Sequence, residues 1–159
     1  MIEKKSDTRK LLANILALDS AITHINYLCS VRYNLKETSL KEASVVTAEN
    51  LSKAIIAMQP MIDKTEQEMQ IAYTRPNFKD YNVICNTESL KNKCNDSIHN
   101  VMIYIRNLHS REVMFNKIYK PNDAEFVALR TEIANMDLYL HCLTEVKANC
   151  ERFLEFFGN

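Results

Sequence analysis

The chain has 159 residues, enough for one domain that buries about 70% of the surface its unfolded form exposes, and its 47% hydrophobic and 25% charged content excludes a disordered polymer. One glycine and three prolines exclude a many-stranded β architecture, because tight hairpins need glycine in left-handed conformations. Twenty basic residues balance twenty acidic ones, so no global field draws the protein to nucleic acid or to an anionic membrane, and any such binding must be local.

The first segment spans 6–35, with Ser6 or Asp7 as its cap. Leu11, Ile15, Leu18, Ile22, Ile25 and Cys29 recur in it at steps of four and three, the signature of one apolar helix face. Asn14, Asp19 and His24 interrupt the apolar residues, and Met1-Ile-Glu-Lys-Lys opens the chain with charge. That pattern fits neither a signal peptide nor a membrane span. Lys36-Glu37-Thr38 is a short connection, which implies an antiparallel neighbour.

The second segment, 39–73, opens on a capping box, Ser39 with Glu42, and carries Ala48, Leu51, Ile55, Met58, Ile62, Met69 and Ala72 on one face. Pro60 lies inside it and removes a backbone hydrogen bond, yet the stripe keeps its phase on both sides, which predicts a kink rather than a break. Met58, Met61 and Met69 cluster around the proline and read as core.

Helical periodicity fades between Tyr73 and Thr87, where Arg75-Pro76-Asn77 supplies the breaker chemistry. The reading is a long middle loop with an unusual load of Tyr73, Phe78, Tyr81, Val83 and Ile84. It leaves room for a crossover, and it predicts packing onto the bundle end or onto a partner.

The third segment, 87–119, keeps Leu90, Cys94, Ile98, Val101, Ile105 and Leu108 in phase. His109-Ser110-Arg111-Glu112 then interrupts the stripe, with either a bend or a restart at Ser110. The last segment, 122–157, begins with Asn122 as N-cap and Glu125 three residues on, and ends at Gly158. Its stripe is Phe126, Leu129, Ile133, Met136, Leu140, Leu143, Val146, Cys150, Phe153 and Phe157. At about 36 residues it would run roughly 54 Å, a length that requires other helices alongside. Four such segments in one domain, 1–159, predict an all-α antiparallel four-helix bundle with inward seams and up-down-up-down order.

The chemistry-bearing motifs are sparse. Asp96 with His99, and the line Asp137, His141, Glu145, are the nearest approaches to a metal-binding pattern and lie beside the stripes, so no metal or other cofactor is expected. His141 and Cys142 point about 100° apart on a helix and cannot pair, and neither a phosphate-cradling glycine loop nor GxSxG occurs, so no catalytic residue is assigned. Five cysteines without a CxxC pair read as reduced thiols of a cytoplasmic protein.

Charge is more informative. Residues 75–120 hold eight Lys or Arg against four Asp or Glu, net +4, and residues 121–159 hold three against seven, net −4. The structural reading is that these two helices complement each other. The functional reading is a basic patch of Arg106, His109, Arg111, Lys117 and Lys120 for an anion or an acidic protein. Few aromatics are interleaved there, which weighs against nucleic acid.

These readings favour a non-enzymatic bundle that binds another protein through Tyr73, Arg75, Phe78, Tyr81, Arg106, His109 and Arg111, with self-association as a further option. The alternative is an enzyme or small-ligand binder with a pocket between helices near Pro60. Nucleic-acid binding comes third.

Overall fold

The computed structural model describes residues 2–34, 41–75 and 78–157, with side chains described over 8–31, 48–75 and 78–157. Four long α-helices account for nearly all of it: α1 (Ile2–Asn34), α2 (Lys41–Tyr73), α3 (Tyr81–Ile118) and α4 (Ala124–Phe157). Among the described residues there is no strand, and no helix is long and apolar enough to cross a membrane.

Each helix buries a line of residues at alternating steps of four and three, the spacing of knobs-into-holes packing, and α4 also buries Phe126, Ile133, Cys142 and Asn149. The lines are Leu11 to Ile25 in α1, Leu51 to Ala72 in α2, Val83 to Leu108 in α3 and Leu129 to Phe153 in α4, and they merge into one core. The expected stripes of α1 and α2 follow these lines from Leu11 to Ile25 and from Leu51 to Ala72, but Cys29 and Ala48, also expected on them, are only half-buried. In α3 and α4 the expectation took Ile98, Ile105, Ile133 and Leu140 where the strict spacing selects Ser97, Tyr104, Glu132 and Tyr139. Ser97, Tyr104, Glu132 and Tyr139 are buried, and so is Ile133, whereas Ile98, Ile105 and Leu140 are only partly buried. In α2, Thr65 fills the core position between Ile62 and Met69, and its hydroxyl donates to the Met61 carbonyl at 2.8 Å.

Several expected boundaries move. Helix α1 starts at Ile2, which puts Ser6 and Asp7 inside it instead of at a cap. Ser39 and Gly158 lie outside the described residues. Helix α3 starts six residues before Thr87, because Asp80 caps it: its backbone is extended, and its carboxylate accepts from the Val83 N–H at 3.1 Å. Thr87 is buried within that helix, its hydroxyl donating to the Val83 carbonyl. Helix α4 starts one position later than Asn122 would place it, since the carbonyl of Asp123 accepts the first helical bond, from Val127. Both α2 at Pro60 and α3 at Ser110 run on without a break. Pro60 is exposed, so water can satisfy the carbonyl it leaves free, and the Ser110 hydroxyl donates back to the Arg106 carbonyl at 3.2 Å.

The middle connection therefore shrinks to residues 74–80, and the two helices it joins, α2 and α3, stand on a diagonal of the bundle. Helix α1 packs on α2 and α3, and α4 packs on α3 and α2. Lys93 bonds to Asp19 and Thr23, and Asn26 to Ser97, so α1 and α3 run parallel. Tyr73 meets Phe153, Phe156 and Phe157, so α2 and α4 are parallel too, while each helix stays antiparallel to the next in sequence. Seven residues reach at most about 24 Å, more than the roughly 13 Å diagonal between helices about 9.5 Å apart.

Candidate interaction surfaces and the polar layer

A polar layer lies between α1, α3 and α4. The Tyr139 hydroxyl donates to Asn26 Oδ1 at 2.8 Å across the diagonal, and Asn26 Nδ2 donates to Ser97 Oγ at 2.8 Å. One turn along, Cys29 Sγ lies 3.8 Å from Met136 Sδ, and the Tyr104 hydroxyl donates to the buried Glu132 carboxylate. Burial pushes the Tyr139 phenol far up from its ordinary value, so it remains a neutral donor. Such a layer fixes which helices face each other, because sliding the seam would strand these groups in the core. Tyr139→Phe removes the donor to Asn26 and is expected to cost about 1–2 kcal/mol, since Asn26 is only half-buried; chemical denaturation of the two proteins side by side checks this. A change inside measurement error would mean that the Tyr139 bond contributes nothing.

The seven residues singled out in the sequence fall at two places. Tyr73, Arg75, Phe78 and Tyr81 sit where α2 ends and α3 begins. Tyr73 stacks parallel on Phe157 at 5.7 Å, and Phe78 packs on Phe157 at 5.1 Å and on Phe153 at 6.1 Å. Phe78 thus closes this end of the core, whereas Tyr81, the first residue of α3, is 81% exposed. Arg106, His109 and Arg111 lie some 40 Å farther along α3 at 1.5 Å per residue, so the two sets do not form one surface. His109 Nδ1 is 3.6 Å from Glu112 Oε1 on the same helix.

Among the described residues, open grooves flank the seams at two places. One, about 520 Å³, lies between α2 and α4 beside the aromatic end, with Glu66, Gln70, Asn149 and Arg152 among its polar lining and the 62% exposed Phe156 on its rim. The other, about 310 Å³, lies between α1 and α3 beside the polar layer, where Ser30, Asn100 and Asn107 are short side chains. Pro60 lines neither of them. No family model, curated protein or solved structure matches the chain. The surfaces must therefore be read from their own chemistry.

Carboxylate oxygens of Asp63, Glu66 and Glu145 lie within 4.8 Å of one another across the α2–α4 seam. They are the oxygen donors that calcium or magnesium takes, though exposed acids also gather without an ion. Linear spacing could not reveal them, because two helices supply them. Met69 and Tyr73 of the larger groove were singled out in the sequence, but its pairing with Arg152 and Phe156 depends on the parallel α2–α4 contact, which no single segment encodes.

The cysteines are free thiols: Cys94, Cys142 and Cys150 are buried, Cys29 half-buried and Cys85 exposed. Burial pushes Cys29 and Cys94 up from 9.0 to about 12, with the nearby Glu132 and Asp19 carboxylates adding to it, and raises Cys142 and Cys150 as well. The thiolate is the reactive form, so a disulfide reagent is expected to label Cys85 quickly and the three buried thiols only on unfolding. Mass spectrometry of the labelled peptides checks this; rapid native labelling of Cys94 or Cys150 would contradict the packing. The folded chain also holds these protons more tightly than the unfolded chain does. The contribution of these thiols to stability is accordingly at full value below about pH 9 and is lost as pH rises from there towards 12.

Proposed function

We propose that the protein is a non-enzymatic helical bundle that acts by binding another protein through the outward side of α3. One observation carries the reading: Met102, Ile103, Val113, Met114 and Ile118 are each 45–69% exposed within five turns of one helix. Large apolar groups that share a stretch of surface with cations are what interfaces bury. Arg106 and His109 stand among them, both exposed, with Arg111 half-buried beside them.

Under this reading the protein works in a reducing compartment such as the cytoplasm, where five free thiols persist. The immobilised chain is expected to retain a stoichiometric protein from extracts of the cells that make it. The Ile103→Ser, Val113→Ser double variant should melt at the same temperature and release that protein. Equal retention by both forms, or by neither, would contradict the proposal.

A second reading has its own support. The α2–α4 groove, at about 520 Å³, falls within the roughly 300–1,000 Å³ range of small-molecule sites, and it combines Arg152, Gln70 and Asn149 with aromatic walls. Ligand binding there would shift the resonances of Tyr73 and Phe156 and leave α3 untouched.

A further inference from the structure

We infer that the outward line of α3 between Met102 and Ile118 receives an acidic amphipathic helix of a partner protein; this rests on the protein-binding reading and specifies its chemistry. Helix α3 has two lines at the same spacing. The inner one, Cys94, Ser97, Val101, Tyr104 and Leu108, is buried in the bundle. The outer one, on the opposite side, is Ile103, Arg106, Ser110, Val113 and Lys117, at steps of three, four, three and four, and every member is exposed. Met102, Met114 and Ile118 flank it, at 50%, 58% and 69% exposure. A face with that alternation matches the ridge of another helix, and its length of about 24 Å accommodates four to five turns.

The charges on the line select the sign of the partner. Arg106 and Lys117 stand on it, with His109 and Arg111 to its sides. Glu112 is the one acid in the sequence between residues 102 and 120, and it faces His109. Asp123, just beyond, is turned onto the Lys120 N–H at 2.8 Å. Among the described residues neither Arg106 nor Lys117 forms an ion pair. The surface thus offers aliphatic and thioether side chains interleaved with unneutralised cations. A helix with leucine-type residues at the same spacing and Glu or Asp opposite Arg106 and Lys117 would fill it.

An anionic lipid surface fits less well. A helix lying in a membrane interface presents an unbroken apolar strip with its cations to the sides, whereas here Arg106 and Lys117 interrupt the strip near its start and at its end. A second copy of the chain could bring its net-acidic α4 to this face, and self-association at rising concentration would reveal it.

The test uses the full chain, isotope-labelled, with four probes: a 21-residue Leu/Glu heptad peptide, its Leu/Lys twin, phosphatidylglycerol vesicles, and the protein itself at rising concentration. The expected result is saturable binding of the Leu/Glu peptide, with amide shifts at Ile103, Arg106, Val113 and Lys117. Affinity should fall about tenfold or more in the Arg106→Glu, Lys117→Glu variant and decline with added salt. Ser110→Trp, which blocks the line without changing charge, should weaken binding as well. Shifts confined to another helix, equal binding of the Leu/Lys peptide, vesicle binding through the same residues, or concentration-dependent self-association lost in the charge variant would each overturn the inference. If the natural protein partner is captured through α3 while the Leu/Glu peptide does not bind, the protein-binding reading survives and only the acidic-helix inference falls.

Discussion

Phe153→Ala is expected to lower stability by about 3–5 kcal/mol, the usual cost of deleting a fully buried aromatic ring. Phe153 is 0% exposed, and its ring joins Tyr73, Phe78 and Phe157 with centroids 6.0, 6.1 and 4.8 Å away. These neighbours come from the end of α2, from the connection and from α4 itself, and a cavity among them cannot collapse without moving the connection. For a domain of this size the loss corresponds to a fall in melting temperature of about 6–20 °C. Thermal unfolding followed by circular dichroism reads it directly. A shift of a degree or less would mean that the aromatic end contributes little and that residues 74–80 lie loosely over it.

The second large effect separates two neighbouring leucines. Leu143 is 0% exposed, and Leu143→Ala is expected to cost about 2–5 kcal/mol. Leu140 is only partly buried against the core, so Leu140→Ala should cost markedly less, about 1–2 kcal/mol, in proportion to the smaller apolar area removed from water. The difference arises because Tyr139, not Leu140, occupies the inward position. Equal losses in paired urea titrations would put Leu140 back on the seam and contradict the register of α4.

That contrast shows how far the sequence was legible. Four helices and their inward faces followed from spacing alone wherever the core residues were aliphatic, as along Leu11 to Ile25 and Leu51 to Ile62. Spacing misleads where a polar residue holds a core position beside an apolar neighbour, as Ser97 does beside Ile98, Tyr104 beside Ile105 and Tyr139 beside Leu140. Hydrophobicity alone favours the neighbour, yet Tyr139, Asn26 and Ser97 satisfy one another's hydrogen bonds and so can be buried at little cost. The start of α3 was misplaced for a related reason. Tyr81, Val83 and Ile84 looked like an apolar loop because Pro76 and Asn77 precede them, and the cap that begins the helix is the less conspicuous Asp80.

The surfaces were legible only in pieces. Arg106, His109 and Arg111 stand out by charge, but the aliphatic groups that give them a context, Ile103, Val113 and Met114, lie off the periodic stripe and carry no signal of their own in the sequence. Only the burial of the opposite side of α3 separates the two lines. The α2–α4 groove and the carboxylates of Asp63, Glu66 and Glu145 depend on two helices meeting in parallel, which the order of segments does not determine.

The pairing of helices is the claim on which every one of these surfaces depends, and distances between spin labels test it most directly. Labels at exposed positions would be placed on α1 and α3, at Thr23 and Asn92, and on α2 and α4, at Gln70 and Arg152, in a background lacking the exposed Cys85. The diagonal arrangement predicts that a series of positions moved stepwise toward the C-terminus on both members of each pair keeps a short, nearly constant separation, since α1 runs parallel to α3 and α2 to α4. A bundle in which consecutive helices simply neighbour one another in turn would bring α2 beside α3 and α1 beside α4. Short distances along those two pairs, with long ones between α1 and α3 and between α2 and α4, would contradict the arrangement.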